Sequence, residues 1–86
     1  QGKNQSIAML EDGQVEILEF KFDPASPLHG EALSEIKFPK PSLIASILRG
    51  DEVIIPTGVD TLQADDTVIV IATGDSIEAM RKLFLV

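Results

Sequence analysis

An α+β domain is the fold class this sequence predicts, with a mixed, mostly antiparallel sheet, a short helix and a C-terminal helix. Three observations lead there. Asp12-Gly13 and Arg49-Gly50-Asp51 each separate two runs of strand-forming residues, which is the pattern of a β-hairpin. Thr67-Val68-Ile69-Val70-Ile71-Ala72 is a β-branched run of strand length. Ile77, Met80, Leu83 and Phe84 recur near the end at helical spacing. With 86 residues the chain has room for one domain, and a domain this small buries only roughly 60–65% of its unfolded surface.

The first hairpin joins Ser6–Leu10 to Val15–Phe22 through Glu11-Asp12-Gly13-Gln14, because Asp and Gly both tolerate the positive φ of a tight turn. Val15 and Ile17 fall on one face of the return strand and Glu16, Leu18, Phe20 and Phe22 on the other. The adjacent apolar pair Ile17-Leu18 predicts a bulge there, or a strand covered on both faces. Asp23-Pro24-Ala25-Ser26-Pro27 breaks the chain into a loop. Leu28, Ala32, Leu33 and Ile36 then suit a helix of one or two turns opening near Gly30, ended by Phe38-Pro39-Lys40-Pro41. Leu43–Leu48 and Glu52–Ile55 make the second hairpin, closed by Pro56. Thr61-Leu62 is at most a minimal strand, and Ala64-Asp65-Asp66 turns the chain into strand 67–72. Apolar side chains on both sides of that run predict a central, doubly covered strand. Asp75 and Glu78 have the spacing of a capping box for the last helix. Gln1-Gly2 matches a protease-site remnant and is left out of the fold reasoning.

Composition removes several function classes. The chain has no cysteine, hence no disulfide, no thiolate metal site and no cysteine nucleophile. Its one histidine rules out a multi-histidine zinc site within the chain. Fourteen acidic against seven basic residues give a net charge of −7, contrary to non-specific nucleic-acid binding. No apolar run approaches the roughly 18–20 residues of a membrane span, so no direct membrane insertion is expected, and no signal-peptide pattern opens the chain. The six glycines form neither a GxGxxG nor a phosphate-loop pattern, so no NAD or ATP site is assigned to this chain. Serines 26, 34, 42, 46 and 76 lie in no nucleophile-elbow pattern, which leaves no catalytic residue and the expectation of a non-enzyme.

A more specific reading comes from Leu28-His29-Gly30-Glu31-Ala32-Leu33, then Leu43-Ile44-Ala45-Ser46-Ile47-Leu48-Arg49-Gly50-Asp51 running into Glu52–Pro56. Asp60–Ile71 and Ala79-Met80-Arg81-Lys82-Leu83-Phe84 follow. From about Val15 onward the chain resembles the RCK C-terminal family, also called the TrkA C-terminal domain. Ala64 departs from the glycine usual there, where positive φ would cost an alanine more. The resemblance implies a single domain over residues 1–86 that forms a homodimer. It implies a regulatory module of potassium uptake systems, channels and some antiporters, cytoplasmic and held at the inner membrane face through a membrane potassium-translocating subunit. It also implies a Rossmann-type nucleotide-binding domain or subunit as neighbour, which would carry any NAD or ATP, with no cofactor in this domain. Some members bind cyclic di-AMP between two such modules.

Candidate ligand residues are Arg49, Ile47, Leu43, Lys40 and His29. Strand alternation places Leu43, Ala45, Ile47 and Arg49 on one face, an apolar floor ending in a guanidinium that can hold phosphate bidentately. Lys37, Lys40 and Arg49 lie in a stretch poor in acids, which favours an anion. The competing reading is an arginine of the hairpin turn paired with Asp51 or Glu52, with Leu43 and Ile47 as core or dimer contacts. His29 beside Gly30 is either a ligand contact or a plain surface histidine. The acidic pairs Glu11-Asp12, Asp51-Glu52 and Asp65-Asp66 sit at turns, where Asp serves the backbone, so no metal site is assigned. The apolar ending Leu85-Val86 suggests cover by a second copy or a neighbouring domain. Ligand sensing at a dimer interface is the leading function; a ligand-free dimerisation scaffold is the other.

Overall fold

A computed structural model describes residues 4–85, so Gln1-Gly2 and Val86 lie outside the described residues. The strands are β1 (Asn4–Leu10), β2 (Val15–Lys21), β3 (Ser42–Arg49), β4 (Glu52–Ile54) and β5 (Thr67–Thr73), and one helix, α1 (Ser76–Phe84), follows them. They form one five-stranded sheet in the order β1-β2-β5-β3-β4, and each pairing is antiparallel. The most apolar strand, β5, is therefore central, as its composition requires. Among the described residues, no helix is long and apolar enough to cross a membrane.

Both hairpins form where the turn residues stand. Glu11, Asp12 and Gly13 carry φ of 52°, 58° and 87°, so the positive-φ stretch begins one residue before the Asp-Gly pair. The second hairpin closes through Gly50-Asp51, with Gly50 at φ 59° and Arg49 paired with Glu52. The bulge expected at Ile17-Leu18 lies across from them, because Ser6 pairs with Leu18 and Ala8 with Ile17, leaving Ile7 as the extra residue on β1.

One face of the sheet is sealed. Leu18, Phe20, Val68, Val70, Ala72 and Ile47 point into a core closed by Met80 and Phe84 of α1. Phe84 stacks on Phe20 with ring centroids 4.4 Å apart and planes 7° from parallel. Glu16 points to this same buried face and is satisfied by Arg81 Nη2 at 3.0 Å. The opposite face, carrying Ile17, Ile69 and Ile71, is only half-buried, so the double cover predicted for β5 is incomplete within one chain.

Two local expectations are corrected. The helix predicted over Leu28–Ile36 is a single 3-10 turn, Leu33–Glu35. Its donors are used elsewhere, since Leu33 and Ser34 N–H bond the carbonyls of Asp60 and Gly58, and Ala32 bridges Thr61. A segment this short cannot offset helix nucleation when its N–H groups already have partners. The capping box is not formed either, as the Asp75 side chain makes no cap hydrogen bond. The buried Ser76 takes over: its Oγ accepts from Thr73 N at 3.1 Å and donates to the Pro41 carbonyl, tying the start of α1 to the segment before β3.

Because α1 is short and held mainly by its apolar stripe, Phe84→Ala should cost about 3–5 kcal/mol, as Phe truncations in cores do. Urea unfolding followed by circular dichroism measures this. A loss below 1 kcal/mol would show that α1 contributes little to the core.

Candidate functional site

Site geometry begins with an irregularity in β3. Ile44 pairs with Val70 while Ser46 pairs with Ile69, so Ala45 is an extra residue. Directly opposed residues share a face. Leu43, opposite Ile71, therefore lies on the half-open face, and Ile47, opposite Val68, lies in the core. The predicted single floor of Leu43, Ala45, Ile47 and Arg49 is thus divided, with Ile47 wholly buried and Leu43 61% exposed on the other side.

Arg49 continues the Ile47 face and meets Asp66. Nε donates to Oδ1 at 2.9 Å and Nη2 to Oδ2 at 2.9 Å, the two-point fork that matches guanidinium to carboxylate. Nη2 also donates to the Thr61 carbonyl at 3.2 Å, and the Gln63 backbone N–H donates to Asp66 Oδ2 at 2.8 Å. Asp66 is fully buried. Burial pushes its carboxyl up, but the Arg49 hydrogen bonds, the Gln63 N–H and the guanidinium charge outweigh this and hold it below the ordinary range. The Asp66 hydrogen bond, against the cost of burial, raises the Arg49 pKa and keeps it charged. The carboxylate partner of Arg49 is therefore Asp66, and not Asp51 or Glu52. Ala64 escapes the strain expected of it, because the positive φ of that turn, 70°, falls on Asp65.

The other predicted residues are dispersed. His29 is exposed and stacks on Phe22, ring centroids 6.3 Å apart. Lys40 is exposed immediately before Pro41. Leu43 stands as a ridge between two depressions. One, of about 230 Å³, is walled by Phe38, Ile44, Pro56 and Leu33, with Ser34 and Thr57 at hand. The other, also about 230 Å³, is lined by Pro41, Ser42, Ile71 and Thr73. Leu43 and Lys40 thus belong to one locality and Arg49 to another. Phe38 and Pro56, which wall the first depression, are candidate site residues that sequence reasoning passed over, having read both as terminators of elements. Among the described residues, no group of three His, Cys, Asp or Glu side chains is placed to hold a metal ion.

Comparison with known proteins decides the family: the TrkA-C domain matches residues 17–85. The chain belongs to the TrkA-C domain family. A Trk system potassium uptake protein TrkA homolog 2 from Methanosarcina mazei is 34% identical over 80 residues, covering 93% of this chain and 18% of that protein. A Trk system potassium uptake protein TrkA from Azorhizobium caulinodans is 32% identical over 85 residues, 99% of this chain and 19% of the relative. The chain therefore spans about a fifth of the length of these relatives. A solved structure described as "Structure of RCK domain with cda" superposes with a TM-score of 0.64 at 18% identity, covering 78% of this chain and 97% of that one. The fold expected for a TrkA-C domain is the fold found.

In this TrkA-C domain, removing Arg49 strands a buried carboxylate. Arg49→Ala should lose about 3 kcal/mol, the low end for a broken buried pair because the guanidinium reaches water. A double variant, Arg49→Met with Asp66→Leu, should recover most of it in chemical denaturation. An unchanged midpoint for Arg49→Ala would overturn this account of the pair. The lowered Asp66 pKa also sets a pH dependence: its stabilisation is fully present above the unfolded carboxylate value of about 4 and is lost as pH falls through the lower folded value. The acid limb of a stability–pH curve should therefore flatten in Asp66→Asn.

Proposed function

We propose that this chain is a regulatory, ligand-sensing and dimerisation module of a potassium transport system, taking a small anionic ligand beside Leu43 where two copies meet. The observation that carries this reading is the pair of depressions divided by the exposed Leu43 ridge. Phe38 and Pro56 offer flat apolar walls for a base, and Lys37 and Lys40 flank Phe38 in sequence as cations for phosphate. Cyclic di-AMP suits such a site, since its two identical halves match two copies related by a two-fold axis. The neighbour described as an RCK domain with cda supports the same ligand class. Arg49 then serves the site from behind, holding β3 in register.

Within a longer protein, the module would sit beside a Rossmann-type nucleotide-binding domain or subunit and act on a membrane potassium-translocating subunit from the cytoplasmic side. Any NAD or ATP would belong to that neighbour. Regulation would follow from a ligand preferring one of two dimer geometries, which shifts their populations by its differential affinity. A second reading, a ligand-free dimerisation scaffold, is favoured by one observation: Arg49, the best phosphate donor in the sequence, is already engaged by Asp66.

A thermal-shift titration with cyclic di-AMP, with AMP as control, separates the two. At 100 times the dissociation constant a one-site ligand adds about 2.7 kcal/mol, a rise of about 10–20 °C for a domain this small. Lys40→Ala should weaken the response and Leu43→Glu abolish it. No shift with any nucleotide, in a chain that still dimerises, would favour the scaffold.

A further inference from the structure

The two edges of the sheet are built differently. β4, at one edge, is three residues long, begins with Glu52 and is followed closely by Pro56. Shortness, charge and proline are the ordinary guards against strand addition. β1, at the other edge, is seven residues long, Asn4–Leu10, and holds no charged residue and no proline. Ile7, Met9 and Leu10 on it are 50%, 64% and 51% exposed. β1 also precedes the region matched by the TrkA-C family, which starts at residue 17.

We propose that the free edge of β1 pairs antiparallel with β1 of a second copy, joining two five-stranded sheets through a contact separate from the Leu43 ridge. Charge argues for a second copy as the occupant. Two chains of net charge −7 repel one another wherever acids face acids, and β1 is an uncharged stripe along a full edge. The charges next to it in sequence are complementary, with Lys3 before the strand and Glu11 after it. An antiparallel copy sets the end of its β1 that Lys3 precedes in sequence against the end of the first copy's β1 that Glu11 follows, twice by symmetry, whereas a parallel copy would align like with like. The one guard β1 possesses is its bulge, which leaves three residues on either side of Ile7. A two-fold axis at Ile7 meets this directly, setting Asn4–Ser6 of one copy against Ala8–Leu10 of the other. The axis closes this pairing at two chains, so the edge taken alone forms a dimer.

Sedimentation equilibrium on the full chain tests this, in a Leu43→Glu background so that the ridge does not contribute. The background chain should self-associate, and Met9→Lys should weaken that association at least tenfold, since an edge lysine opposes strand pairing. Lys3→Glu and Glu11→Lys should each weaken it by about tenfold alone, and a mixture of those two variants should restore it, because their ends are again opposite in charge. Recovery on mixing is a result that general surface repulsion or misfolding would not give. A monomeric Leu43→Glu chain with native circular dichroism, or association indifferent to Met9→Lys, would overturn the proposal.

Discussion

The buried fork between Arg49 and Asp66 is the contact on which the arrangement of this domain turns. It joins the end of β3 to the turn that launches β5, two places 17 residues apart in sequence. The same turn is fastened to the end of β2, because Phe22 N–H donates to the Asp66 carbonyl at 2.8 Å and Asp65 N–H donates to the Phe22 carbonyl at 3.2 Å. Thr61 and Gln63 add further hydrogen bonds to the fork itself. A carboxylate taken wholly out of water is costly unless its lone pairs have partners, and here the partners come from two segments, Arg49 of β3 and the Gln63 N–H of the loop before β5. Ionisation of one residue therefore depends on the placement of β3 and the 61–66 loop together, while the backbone of the same turn is tied to the end of β2. Such a group contributes to a unique register more than to net stability, since a well-packed apolar pair could stand in its place.

With that end fixed, the two faces of the sheet have different fates. α1 and its Phe84–Phe20 stack close one face, and Glu16 can point inward there only because Arg81 reaches it. The other face keeps Ile17, Ile69 and Ile71 half in water with Leu43 proud of them. A domain this small has little apolar area to spare, so leaving one face open lowers its stability as a lone chain and makes cover by another molecule favourable.

Much of the fold was legible because the signals were local. Asp12-Gly13 and Gly50 fix both hairpins through the φ values they permit, and the unbroken β-branched run at 67–72 marks the central strand. The family likeness rested on residues 28–33, 43–56, 60–71 and 79–84, which include the second hairpin and most of the central strand. What could not be read were features whose cause lies far along the chain. The Leu28–Ile36 pattern reads as helical until Gly58 and Asp60 take its hydrogen bonds. Asp75 looks like a cap until Ser76 is needed to fasten α1 to Pro41. One distant partner did leave a trace: Asp66 is in phase with Val68, Val70 and Ala72, so a period of two already pointed its carboxylate at the core and called for a cation. Arg49, in phase with the buried Ile47, was the matching half of that signal.

The single face expected from Leu43 to Arg49 is divided by the extra residue at Ala45, and that residue gives the two halves of one strand different surroundings. In an unbroken strand, Leu43 would share the face of Ile47 and Arg49 and be committed to the core. The bulge shifts the phase between Ile44 and Ser46. Residues after it hold Asp66 and complete the hydrophobic core, while Leu43 before it is released to the open face between the two depressions. A bulge also increases local twist, which helps turn the first half of β3 away from the floor of the sheet. The anchoring Arg49 and the exposed Leu43 are thereby placed on opposite faces of the same eight residues, so a change in what Leu43 touches acts directly on the strand that Asp66 holds.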